Sequence, residues 1–152
     1  MLRLLGVPGQ KTENCSPATG AFKTRIVTKD VGPFRVTGLD VAVDLVKAAF
    51  DEAVLQIPDV VAAVKTAGML CVRHKRHNPN SFSNHSWGTA IDLFFGTNVV
   101  PQSVKRTHRG CLLLAPFFND KGLFWGAGFS GASVDSMHFE VSKETIQRII
   151  HS

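Results

Sequence analysis

The chain has 152 residues, 44% hydrophobic and 19% charged, with a net charge of +5. That is enough to bury a core of its own in one domain, spanning residues 1–152, and the composition excludes a disordered chain. No apolar run approaches the roughly 20 residues of a membrane span, and MLRLLGVPGQK lacks the roughly 7–15-residue apolar stretch of a secretory signal.

Residues 1–36 mix Gly, Pro, Ser and Thr around one β-like run, 25–29, and predict an irregular arm carrying a single strand. From Thr37 the pattern becomes helical: Leu39, Val43, Val46, Phe50, Ala53 and Ile57 recur at one face. Thr37 with Asp40 resembles a capping box, and Pro58 ends or restarts the helix. A second helix is expected over 60–67, stopped by Gly68. Residues 69–72 predict a short strand, and HNPNSFSN at 77–84 carries turn signals. Further along, 89–95 predicts a core strand, 103–118 a helix, 119–122 a turn, 124–129 and 137–141 two strands, and Ser142 opens a last helix. The fold class expected is α+β, with a small antiparallel sheet and flanking helices.

Three cysteines, Cys15, Cys71 and Cys111, are far apart and match no metal spacing, so they read as mainly reduced, structural residues. The basic balance favours polyanions. The cations are dispersed without a nucleic-acid-binding motif, so nucleic acid is one candidate partner and an anionic envelope polymer fits as well.

The chemistry-bearing residues lie in SFSNHSWGTAIDLFF, residues 81–95, and VDSMHFEVS, residues 134–142. His85 and Asp92 are not at helical spacing; they suit a turn followed by a strand, with Gly88 letting the backbone fold back. Asp92 within TAIDLFF is a carboxylate among apolar residues, costly unless paired or bound to metal. With His138 the set supplies the N,N,O donors of a catalytic zinc site, and Asp135 is a spare carboxylate nearby. A histidine beside a strand is more often a satisfied polar residue, and the residues alone leave both readings open.

SNHSWGTAID fits SxHxxGxAxD, and DSMHFE fits DxxHFE. Together they resemble the D-alanyl-D-alanine carboxypeptidase and L-alanyl-D-glutamate peptidase family of zinc peptidases, which includes phage endolysins and shares its metal fold with hedgehog signalling domains. The resemblance covers about residues 69–141 and implies His85, Asp92 and His138 as zinc ligands. It implies Asp135 as the catalytic carboxylate, Arg73 (with Arg76 as runner-up) as the family arginine, and Ser83 and Trp125 as substrate-binding residues. Glu140 is implied to orient a ligand histidine. His74, His77, His108 and His151 match no family position. GAGF after Trp125 departs from the GGxW-like run of the endolysin branch, which bears on the inner cleft.

The function so implied is zinc-dependent hydrolysis of an amide bond in the peptidoglycan stem peptide, with an L-Ala–D-Glu endopeptidase of endolysin type as the first reading. The alternatives are a D,D-carboxypeptidase or dipeptidase on the same scaffold, and a non-catalytic zinc-containing wall-binding module. A monomer is expected, made in the cytoplasm and acting on the wall after holin-type release, with neither nucleic acid nor membrane insertion among its partners.

Overall fold

The structure is a computed structural model describing residues 1–97 and 99–151; Asn98 and Ser152, the last residue of the expected domain, lie outside the described residues. The arm holds α1 (Leu2–Leu5), a 3₁₀ turn (Ala21–Arg25) and then β1 (Ile26–Asp30), which pairs antiparallel with β2 (Arg35–Leu39). Thr37 therefore belongs to a strand and does not cap a helix: it faces Thr28 across the hairpin, their hydroxyls 2.8 Å apart. RVTGL is too short to reveal strand character until its partner lies alongside.

Helix α2 (Asp40–Gln56) starts directly after β2 and buries Val43, Val46, Phe50 and Ala53, the apolar spacing expected. Ile57 breaks it, and Pro58 opens α3 (Pro58–Ala63), where its missing N–H costs nothing. The second helix stops four residues early because 65–68 is β3 (Lys65–Gly68), paired across a long sequence gap. The hairpin β4 (His74–Lys75) and β5 (Asn78–Phe82) occupies the turn-rich stretch. There follow a 3₁₀ turn (Asn84–Trp87), β6 (Ala90–Phe94), α4 (Arg109–Asp120), β7 (Leu123–Trp125), β8 (His138–Val141) and α5 (Lys143–Ile150). Helix α4 starts later than expected, at Arg109, and β7 is shorter than expected. Ser142 does cap α5, accepting from the Thr145 amide at 3.0 Å.

The architecture is α+β, with a four-stranded antiparallel sheet in the order β3-β6-β8-β7. Its register decides which side chains share a face, since alternate residues point oppositely. Ile91, Leu93, Phe139 and Val141 are fully buried on the helix side. There Phe139 meets Phe118 of α4 at 4.8 Å, and Phe118 meets Phe50 of α2 at 5.2 Å. Each such ring contributes about 1.5–3 kcal/mol by leaving water.

The cysteine expectation is corrected. Cys15 and Cys71 form a disulfide, while Cys111 is free and buried against Leu93, its thiol pushed up to about 12 by burial. Spacing along the chain could not reveal the bond, because the arm reaches residue 71 only by folding over it; Ser16 and Val72 pair beside the bridge. Among the described residues no helix is long and apolar enough to cross a membrane.

Candidate metal centre

Asp92 of β6 stands directly opposite His138 of β8, so both project from the sheet face that lacks the helices. His85 arrives from the 3₁₀ turn. That turn ends at Gly88 in the left-handed region (φ 68°), where a Cβ would lie 2.7 Å from Gly38 and Leu39. One donor atom from each of His85, Asp92 and His138 lies within 4.8 Å of the others. His85 Nε2 is 3.2 Å from Asp92 Oδ2, and His138 Nδ1 is 3.4 Å from Asp92 Oδ1. Yet among the described residues His85 Nε2 and Asp92 Oδ1 are buried without a hydrogen-bond partner. Two orphaned buried atoms within one donor cluster fit a cation, since uncompensated burial of each is costly.

The surrounding groups set which nitrogen is bare. His85 Nδ1 lies 2.8 Å from the Met69 carbonyl, which can only accept, so Nδ1 carries the proton and Nε2 is free. His138 Nε2 lies 3.1 Å from Glu140 Oε1, whose other oxygen accepts from the Asn84 amide; this leaves Nδ1 facing Asp92. Segment 69–72, expected as a strand, instead spends its backbone on this loop, with Cys71 N donating to the His85 carbonyl at 2.9 Å. That contact and the disulfide hold the arm directly behind His85.

Electrostatics follow from burial among like and unlike charges. Burial alone would pull His138 down, but Asp92 and then Glu140 outweigh it and push the imidazole up to about 10. Burial would raise Asp92, and the two imidazoles overcome this to hold it far below the usual carboxylate range. Glu140 is likewise held down, against burial, by His138 and Asn84. Asp135 goes the other way: burial raises its carboxyl, and the Asp92 charge adds to the shift.

Asp135 is positioned by its amide, which donates to the Gly126 carbonyl at 2.9 Å, and by its carbonyl, which accepts from His138 N at 3.2 Å. It lines a cleft of about 350 Å³ with His85, His138, Glu140, Arg73 and Ser83. Arg73 is half-buried, its guanidinium lowered by burial and by Arg76, while Asp92 and Asp135 pull it back. The Ser83 hydroxyl accepts from the His85 amide at 3.3 Å, so it shapes the ligand loop.

The family model for D-alanyl-D-alanine carboxypeptidase matches residues 76–141, the stretch carrying all three donors and Asp135. The matched segment belongs to this zinc-peptidase family. The match spans less than half of the chain, and the residues it covers, similar to a zinc metallopeptidase, include the His/Asp/His cluster. No curated protein matches the chain.

Trp125 does not reach the cleft. It pairs with Phe139 and therefore faces the helices, stacked on that ring at 6.0 Å, with its indole N–H donating to the Ser136 carbonyl. Register alone excludes it from the face bearing His138. The aromatic wall is Phe129, from the divergent GAGF run, whose ring lies 6.0 Å from that of His138. Sequence reading also missed Asn84, which carried a signal in its place next to His85, and the Met69 carbonyl, which as backbone carries none.

Proposed function

We propose that this chain is a zinc peptidase of the peptidoglycan stem peptide that cuts the L-Ala–D-Glu bond, working as one domain on the cell wall. The observation that carries it is the pair of orphaned buried atoms, His85 Nε2 and Asp92 Oδ1, beside a cleft carboxylate with a raised pKa. His85 Nε2, Asp92 and His138 Nδ1 would hold the ion. Bound there, zinc would supply Lewis acidity, which makes a water nucleophilic near neutral pH.

The remaining work belongs to the chain. Asp135 takes a proton from the attacking water and returns it to the leaving amine, a role suited to a carboxyl that burial makes easier to protonate. Arg73, on the same cleft, faces the developing oxyanion. Glu140 and the Met69 carbonyl keep the imidazoles oriented. Ser83 acts on the ligand loop, and Trp125 supports Phe139 without touching substrate.

Lys75 and Arg76 also line the cleft, and this observation favours a second reading. Extra basic anchors suit a D,D-carboxypeptidase, which must hold a free terminal carboxylate. Digesting purified peptidoglycan with and without chelator, then identifying new termini by mass spectrometry, separates the two. New D-Glu amino termini, absent with chelator, support the endopeptidase; free D-alanine alone overturns it for the carboxypeptidase.

A further inference from the structure

A second hollow, of about 440 Å³, adjoins the metal cleft, and Lys75 and Asn84 line both. Its floor is apolar and fixed: Phe82 and Trp87 are buried with rings 5.7 Å apart, and the Trp87 indole donates to the Gly6 carbonyl. Its rim is cationic. Arg3 comes from α1, Lys11 from the arm, Lys75 from β4 and Lys143 from α5, and no carboxylate is among the residues that line it.

These four cations are set apart by lining one hollow, since other cations too, Lys23, Arg35 and Arg109 among them, form no ion pair with a described residue. Lys29, Lys47 and Lys121 each pair with a carboxylate, whereas Arg3, Lys11, Lys75 and Lys143 form no ion pair with a described residue. Lys143 stands in the first turn of α5, where the helix dipole disfavours a cation, so helix stability does not account for it. The Lys11 ammonium is held in place, 5.4 Å above the Phe82 ring and donating to the Asn80 carbonyl. Converging positive charge over a pre-formed hollow calls for an anion.

We infer that this groove is a second subsite, which binds the carboxylate-bearing part of the peptide substrate that extends beyond the metal cleft. The inference rests on the peptidase reading for the identity of the ligand, but not for the binding itself. Continuity through Lys75 and Asn84 favours one substrate spanning both hollows over an unrelated polyanion.

The test uses full-length Asp135→Asn, so that the peptide stays intact, and a labelled stem peptide, L-Ala-D-Glu-L-Lys-D-Ala-D-Ala, in free-acid and fully amidated forms. Fluorescence anisotropy should show tighter binding of the free acid, with a preference that shrinks as salt rises. Adding Arg3→Ala, Lys11→Ala or Lys143→Ala should each weaken the free acid by about two- to fivefold and leave the amidated form unchanged. Lys143→Arg should retain the affinity that Lys143→Ala loses. In the active enzyme the triple alanine variant should raise KM with kcat unchanged.

Equal binding of the two forms, or a triple variant that binds the free acid normally, overturns the subsite. Tighter binding of a single-stranded oligonucleotide than of the free acid, lost in the triple variant, overturns it in favour of nucleic acid. If the wild-type protein hydrolyses neither form while the charge-dependent binding persists, the peptidase reading fails and the subsite stands.

Discussion

The α2 side of the molecule and the cleft side use charge in opposite ways. Around α2, cations and carboxylates sit in matched pairs at the surface, Lys29 with Asp44 at 2.7 Å and Lys47 with Asp51 at 2.8 Å, and in a part-buried one, Arg25 with Asp40 at 3.1 Å. In the cleft, Asp92 and Glu140 are drawn in among imidazoles, Asp135 is left with a raised pKa, and the neighbouring groove is lined by cations and, among the described residues, by no carboxylate. Matched pairs in water contribute little and are replaceable. Unmatched or buried charge is costly, and it persists where a ligand or a reaction makes use of it.

The contrast breaks if cleft substitutions behave like surface ones. The largest effect is expected at the metal: His85→Ala should lose the bound zinc, read by elemental analysis, together with all chelator-sensitive hydrolysis. Asp135→Ala should keep zinc and fold while lowering kcat by about 10²–10⁴. Unchanged turnover there would remove the proposed base.

Glu140→Gln comes next, with zinc affinity falling by about 10–100-fold, since the residue acts only through His138. The same cluster sets a pH dependence. Without metal, His138 is raised from 6.5 to about 10, so its stabilising contribution is full below pH 6.5 and is lost as pH rises toward 10. Metal must displace that proton, so thermal unfolding of chelated protein should fall across this window while apparent zinc affinity climbs. A flat profile for both would contradict the buried His138–Asp92–Glu140 arrangement.

Cys15→Ser should lower stability by about 2–4 kcal/mol in denaturant titrations, because the bond closes a span of 56 residues. The loss should also appear as weaker zinc retention, as Cys71 lies against the His85 loop. At the small end, Lys29→Ala should move Tm by no more than about 2–4 °C and leave kcat and KM untouched. A large effect there would erase the distinction between the two sides.

Much of this was legible along the chain, and the reason differs from element to element. The apolar face of α2, the break at Pro58 and the Ser142 cap are local, written within a few residues of one another. Strands β2 and β3 escaped because RVTGL and KTAG gain strand character only from distant partners. In the candidate site, His85, Gly88 and Asp92 were conspicuous as polar residues and a glycine running into an apolar segment. Trp125 was misjudged because a side chain's face depends on register, and register belongs to a pair of strands.

By itself, the sequence offered a donor set: two histidines, an aspartate among apolar residues and a spare carboxylate, in two motifs that resemble a zinc-peptidase family. Only the tertiary structure decided which nitrogens are bare, that Phe129 and not Trp125 walls the cleft, that Cys15 bridges to Cys71, and that four dispersed cations meet in one groove. Ligand identity is carried by the atoms of each residue. Proximity across dozens of residues arises when the sheet and arm close, and composition and spacing hold no record of it.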